Sequence, residues 1–104
     1  MEVGEKVQTV VQELQLIGQQ ASAIANQVRE MSSTLDLLES HEPGDAIFRQ
    51  SGGILVQVGD IPALMSELKD GQEKLEAHVA RLAEREAELR LEYEGLVREL
   101  EGSR

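Results

Sequence analysis

The residues that could carry out acid–base or metal chemistry do not converge on one place in this sequence. Glutamates of the C-terminal half recur at two-residue spacing, as in Glu84, Glu86 and Glu88, so on a helix they point to different sides. The two histidines, His41 and His78, are far apart in the fold predicted below, which argues against a zinc site. No glycine-rich stretch leads from a strand into a helix in the phosphate-binding pattern. We therefore expect a protein that is not an enzyme and that holds no cofactor or metal.

Composition limits the classes of partner and the compartment. The 104 residues fit a single domain, 1–104, and 20 acidic against 10 basic residues give a net charge of −10. That charge disfavours nucleic acid and anionic membranes as partners. The chain has no cysteine, its longest apolar run, residues 53–56, is too short to span a bilayer, and residues 1–5 lack the basic start of a signal peptide. We expect a cytoplasmic protein.

Two heptad repeats, one in each half of the chain, predict two long helices that pair as an antiparallel coiled coil. Apolar residues alternate at steps of four and three from Val3 to Leu38, and leucine recurs every seven residues from Leu68 to Leu96. Repeats of this length are typical of a coiled coil rather than of a helix in a globular core. We expect the helices to cover residues 1–40 and 61–102.

Two polar residues interrupt the second repeat. In the antiparallel register that brings the apolar positions together, Gln72 faces Met31 and Glu86 faces Ile17. A polar group at such a position needs water or a flanking partner, so we expect these two layers to be softer than the rest. Arg90 follows Glu86 at the spacing that favours an ion pair on a helix.

A β-hairpin is predicted between the helices. Residues 40–45 are rich in turn-forming types, and two β-prone runs, 46–51 and 54–58, flank the pair Gly52 and Gly53. Glycine supplies the positive φ that a two-residue hairpin turn needs. Asp60 is placed to cap the helix that follows. The predicted fold class is therefore mainly α, a long antiparallel two-helix coiled coil joined by one β-hairpin.

The predicted fold leaves two surfaces free to bind other chains. A two-stranded ribbon is marginally stable and has two open edges, so we expect the hairpin to pair with strands of other subunits rather than to cap the helix ends. At the opposite end, the helix ends carry more apolar residues than a coiled-coil seam needs; they either close the coiled coil or fray and hold other apolar chains. The candidate assembly residues are Ile47, Phe48, Gly52, Gly53, Ile54, Leu55, Val56 and Val58. The candidate tip residues are Val3, Val7, Val10, Val11, Leu14, Leu96, Val97 and Leu100.

The hairpin segment and the first helix resemble those of a known family. The run IFRQSGGILV at residues 47–56 is similar to the hairpin of β-class prefoldin subunits, and the glutamine-rich first helix resembles archaeal members of that class. The α class carries two hairpins, so a single hairpin indicates the β class.

This resemblance implies a function and a set of partners. It implies a hexamer of two α-class and four β-class subunits, whose hairpins form an intersubunit β-barrel from which the coiled coils project. Their tips would hold non-native polypeptides without ATP and pass them to a group II chaperonin. The pattern also fits a prefoldin-like paralogue, or a coiled-coil assembly adaptor with one fixed, folded partner.

Overall fold

The computed structural model describes residues 2–102, which form a long helical rod with a small β-hairpin at one end. The elements follow in the order α1 (Val3–Glu39), β1 (Phe48–Ser51), β2 (Ile54–Gln57) and α2 (Ile61–Gly102). This order confirms the predicted fold class, two long helices joined by one antiparallel hairpin. Residues 1, 103 and 104 of the predicted single domain lie outside the described residues.

Local hydrogen bonds explain where the helices end and begin. The Ser40 backbone N–H donates to the carbonyl of Asp36 at 3.1 Å, which closes the last turn of α1. The chain then turns at Gly44, whose φ of +97° is a left-handed conformation that favours glycine. Asp60 caps α2, since its Oδ1 accepts the backbone N–H of Ala63 at 3.0 Å. Pro62 lies in the first turn of α2, where its missing N–H costs no hydrogen bond.

The two helices run antiparallel and share a linear core. Gln72 contacts Val28 and Arg85 contacts Glu13 across the pair. Residue numbers therefore increase along one helix as they decrease along the other. The buried residues all occupy positions of the predicted heptad repeats: Val10, Ile17, Leu35, Leu38, Leu89 and Leu96. The core is therefore a seam between two helices rather than a rounded interior.

This geometry exposes much more surface than a compact fold. The molecule measures 73 × 25 × 15 Å. It exposes 7726 Å², whereas a compact monomer of 11.5 kDa exposes about 5800 Å². The excess surface is a structural reason to look for binding sites along the rod and on the hairpin.

Candidate functional site

The hairpin is a regular two-residue turn between paired strands. Ser51 pairs with Ile54, so Gly52 and Gly53 form the turn. Gly52 has a φ of +61°, the left-handed conformation that the first central residue of a type II′ turn requires. The Val58 N–H donates to the carbonyl of Ile47 at 2.8 Å, which continues the ladder one pair beyond the strands.

Every residue of both strands is exposed, although half of them are apolar. Ile54 and Leu55 each leave 68% of their surface in solvent, and Phe48 and Val56 are also exposed. Within residues 2–102, the sheet has two strands, so each strand keeps one edge without a strand partner. Exposed aliphatic residues beside open strand edges are the features that favour pairing with another chain.

The strand register divides the hairpin into two faces. Cross-strand partners share a face, so Phe48 and Gln57 lie on one side with Gln50 and Leu55. The opposite side carries Ile47, Arg49, Ser51, Ile54, Val56 and Val58. Both faces therefore combine apolar and polar side chains, and neither is the wholly polar face that a solvent-facing ribbon would have.

The hairpin does not cap the helix ends. Among residues 2–102, no strand residue comes within 8 Å of a helix residue, Cα to Cα. A side-chain contact does reach α2: Arg49 Nη1 lies 3.5 Å from Glu67 Oε2, with both side chains more than half exposed. Ile47 and Val58, at the base of the ribbon, are half-buried. The alternative in which the hairpin covers its own helix ends finds no support in this geometry.

The candidate tip residues divide into covered and accessible groups. Val10 and Leu96 are buried in one cluster with Ile17 and Leu89, and Val3, Val7 and Leu14 pack against it. Val11 and Val97 are half-buried, and Leu100 is exposed. The covered group packs in the seam and closes the coiled coil at this end. The accessible group leaves apolar surface at the end of the rod.

Sequence reasoning missed Tyr93 at the tip. Tyr93 occupies a heptad position that the pattern assigns to the seam, yet 38% of its surface is exposed. It lines a shallow groove of about 390 Å³ with Glu94, Val97 and Arg98. The spacing of Tyr93, Val97 and Leu100 at steps of four and three was the available signal, since it places all three on one side of α2.

The predicted polar layer at Gln72 has a flanking partner. Gln72 Nε2 donates to Ser32 Oγ at 2.6 Å and to the Val28 carbonyl at 3.3 Å, both on α1. Met31, its expected neighbour, leans towards Gly71, where a Cβ would lie 3.1 Å from the Met31 Cε. Gly71 therefore leaves space for the Met31 side chain. The side-chain amide of Gln72, next to Gly71, is hydrogen-bonded to the other helix.

The second polar layer, at Glu86, makes an ion pair within α2. Glu86, half-buried at its seam position, accepts hydrogen bonds from Arg90, with Nη2 at 3.0 Å, as the spacing predicts. Ile17, its expected neighbour across the seam, is buried.

An ion pair that sequence reasoning missed joins the helices towards the tip. Arg85 donates from Nε and Nη2 to the two carboxylate oxygens of Glu13, at 3.2 and 3.3 Å, and from Nη1 to Glu88 at 3.1 Å. The hydrogen bonds that Arg85 donates to Glu13, and then the one that it donates to Glu88, raise the pKa of Arg85 above its usual value. Because the pKa of Arg85 is raised, the arginine keeps its charge up to the strongly alkaline range, and its contribution to stability is lost as the pH rises through that pKa.

The described residues bring together no metal-binding group. Within residues 2–102, no three His, Asp or Glu side chains lie close enough to hold an ion. In the same range, neither helix combines the length and apolar character needed to cross a membrane. What the structure does offer is two apolar surfaces, the hairpin and the tip, about one rod length apart.

Comparison with known proteins gives one consistent answer. The chain matches the prefoldin subunit family over residues 1–102. A prefoldin subunit beta from Pyrobaculum calidifontis is 39% identical over 74 residues, which are 71% of this chain and 58% of that protein, so the match spans little more than half of the relative. The crystal structure of the prefoldin beta subunit from Thermococcus strain KS-1 has the same fold, with a TM-score of 0.84 and 23% identity over 97% of this chain and 88% of that one.

Proposed function

The chain belongs to the prefoldin subunit family, in its β class, and from this premise we propose that it acts as an ATP-independent holdase subunit. In this proposal it assembles through its hairpin, captures non-native polypeptides at its tip, and passes them to a group II chaperonin. Its partners are then an α-class subunit, in a hexamer of two α and four β subunits, in the cytoplasm of an archaeal cell. The observation that carries the proposal is the apolar surface exposed at both ends of the rod, at Phe48, Ile54, Leu55 and Val56 on the hairpin and at Tyr93 and Leu100 on the tip.

The hairpin supports the assembly step. Phe48, Ile54, Leu55 and Val56 are exposed on a ribbon that is too small to be stable without further strands. Strands from neighbouring subunits would pair with the open edges and cover these side chains, as in an intersubunit barrel. Burying the four side chains contributes about 1.5 to 3 kcal/mol each, less the part already covered, and this offsets part of the entropy cost of association.

The tip supports the capture step. Val97 and Leu100 follow Tyr93 along one side of α2, beside the groove described above. An apolar stripe on the end of a helix pair binds extended or helical segments through side-chain burial, without a requirement for one sequence. Such binding uses no nucleotide, in keeping with the absence of a phosphate-binding pattern in the sequence.

The capture step is tested by changing accessible tip residues while leaving the buried seam intact. The chain is combined with an α-class partner, and aggregation of a chemically denatured protein is followed by light scattering. Val97→Ser with Leu100→Ser should strongly reduce the suppression of aggregation, because it removes apolar surface from the tip. The matched control is Leu16→Ser with Leu91→Ser. It removes two exposed leucines from the shaft, the part of the helix pair that carries no candidate tip residue on its outer face, and should leave suppression unchanged.

Two results would contradict the proposal. Equal suppression by the tip variant and the wild type would remove the tip from the mechanism. Saturable binding to one folded protein, with no effect on denatured clients, would indicate the assembly adaptor instead.

A further inference from the structure

We propose that the outer edge of β2 pairs with itself: it binds β2 of a second copy of this chain as an antiparallel strand, around a two-fold axis at Val56. The inference rests on the proposed assembly through the hairpin and specifies which edge meets which chain. The occupant is a second copy because β2 is complementary to itself, whereas β1 is not. The support comes from the direction of the backbone groups, the pattern of side chains and the position of the hairpin's charge.

Backbone N–H and C=O groups of β2 point outwards, where another strand can bind them. The Val58 N–H donates to the Ile47 carbonyl at 2.8 Å, so these two residues form a hydrogen-bonded pair within the hairpin. Hydrogen-bonded and non-hydrogen-bonded pairs alternate along an antiparallel ladder. Leu55 and Gln57 belong to the alternate pairs, so their backbone groups point away from β1. Among residues 2–102, no third strand lies beside them.

The side chains of β2 match those of an antiparallel second copy. When Val56 lies opposite Val56 of the second copy, Leu55 lies opposite its Gln57, and these outward-pointing residues can exchange both backbone hydrogen bonds. In the same register, Ile54 lies opposite Val58 of the second copy. The β-branched side chains of the two copies then form one aliphatic patch on one face, covering Val56, which is 47% exposed in the single chain, and Ile54, which is 68% exposed.

Glycines lie where the two copies would meet at the ends of the paired strands. In this register, Gly53 in the turn of one copy comes opposite Gly59 of the second copy. A Cβ built on either residue meets no atom of its own chain within 4 Å, and neither has a positive φ. Nothing within the single chain therefore requires glycine at these positions. The missing side chains let the turn of one copy pass close to the base of the other.

The edge of β1 is not complementary to itself. Arg49 is the one charged residue within 47–58, and it lies between Phe48 and Gln50, whose backbone groups point outwards. Pairing two copies of β1 in the corresponding register would place Arg49 opposite Arg49, and like charges directly opposite each other destabilise a sheet. The contact of Arg49 with Glu67 is exposed and weak, so it does not remove this repulsion. The β1 edge is then left for a different chain, the α-class partner of the proposed complex.

Disulfide cross-linking of the full chain tests the two-fold axis, because the sequence has no cysteine. Opposite residues of a non-hydrogen-bonded antiparallel pair lie about 4.5 Å apart, Cα to Cα, a distance that suits a disulfide. Val56→Cys should therefore form a covalent dimer under mild oxidation at least about ten-fold faster than Leu55→Cys. Leu55 is the matched control because it is the next residue and more exposed, yet lies opposite Gln57. Equal rates for the two variants would indicate random collision and overturn the inference.

A pair of proline variants tests which edge is used. Gln57→Pro removes an N–H that points outwards from β2, without removing a hydrogen bond within the hairpin. In sedimentation velocity of the chain without a partner, it should convert the dimer to monomer. Gln50→Pro makes the same change on the edge of β1 and should leave the dimer intact. Loss of the dimer in both variants would indicate head-to-tail pairing of β1 with β2. That result, a dimer that both variants keep, a loss confined to Gln50→Pro, or a monomeric wild type would overturn the inference.

The same measurements separate this inference from the proposed function. If Val56→Cys cross-links as expected while the complex with an α-class partner holds no denatured client, the edge assignment stands and the holdase proposal fails. If that complex suppresses aggregation while Val56→Cys dimerises no faster than Leu55→Cys, the holdase proposal stands and the edge assignment is wrong.

Discussion

The hairpin and the arm, which is the pair of helices α1 and α2, differ in how far they cover their apolar residues. In the arm, Leu89 leaves 1% of its surface exposed, because α1 supplies the opposing side of the seam. In the hairpin, Leu55 leaves 68% exposed, and no second layer of the described chain covers it. The chain therefore covers the apolar seam of its helices with its own residues and leaves the apolar residues of its hairpin exposed.

The difference follows from the geometry of the two kinds of secondary structure. A heptad stripe on one helix is matched by a heptad stripe on a second helix of the same chain, so a pair is sufficient. Two strands have two outer edges and two faces, and four residues in each strand cannot cover any of them. A single hairpin on a long coiled coil is therefore suited to assembly at one end, with the rest of the rod left free.

The largest effect is expected from charge on the hairpin. Ile54→Lys with Val56→Lys should reduce the complex formed with an α-class partner to monomers or small species, because charges on a pairing sheet oppose strand addition. Helix content, followed by circular dichroism, should remain as in the wild type. Sedimentation velocity measures the assembled mass.

The control for this prediction places the same charges on the arm. Leu16→Lys with Leu91→Lys changes two exposed leucines of the shaft and should leave the assembled mass unaltered. If both double variants lower the mass to a similar degree, the hairpin has no special part in assembly.

A large effect on stability is expected from the best-covered residue of the arm. Leu89→Ala should lower the free energy of unfolding by about 2 to 5 kcal/mol, since it removes a buried side chain and leaves a cavity between the helices. Leu91→Ala, two residues away and mostly exposed, should change it by less than about 0.5 kcal/mol. Urea unfolding of the full chain, followed at 222 nm, compares the two. Similar losses would mean that the seam seen here does not hold the arm together.

The smallest effect is expected from the polar layer at Gln72. Gln72→Leu should leave the stability equal or raise it by up to about 1 kcal/mol, because an apolar side chain replaces both the polar group and its hydrogen bonds. Gln72→Ala should lower it by about 1 to 2 kcal/mol, since it loses the bonds and the packing together. The same unfolding measurement applies. A marked loss in Gln72→Leu would show that the arm depends on the bonds to Ser32 and Val28 more than on seam packing.

The fold could be predicted because its determinants are local and repeated. The heptad positions that predicted the seam include every buried residue, from Val10 to Leu96, and the glycine pair marked the turn. Asp60 was assigned as a cap from its type and position, and its hydrogen bond to Ala63 agrees. In each case a residue type at a fixed spacing is sufficient to specify the structure, without knowledge of distant contacts.

The features that sequence reasoning missed depend on side-chain direction across the seam. The ion pair between Glu13 and Arg85 joins residues far apart in the chain and requires the exact rotation of both helices. Tyr93 has a seam position by its spacing, but its surface remains partly exposed. The contact between Arg49 and Glu67 similarly depends on how the ribbon leans towards α2. Periodicity specifies which residues lie near the partner helix and leaves these orientations open.

The way the ribbon is attached to the rod has a mechanical consequence. Residues 40–47 and 58–60 carry the chain between the two, and the contact from Arg49 to Glu67 is an exposed pair that contributes little rigidity. Because α2 has 42 residues and is therefore about 63 Å long, a swing of about 10° at this joint displaces the far end by about 11 Å. In the proposed complex, small changes of angle at this joint would widen or narrow the space between neighbouring rods to suit clients of different size.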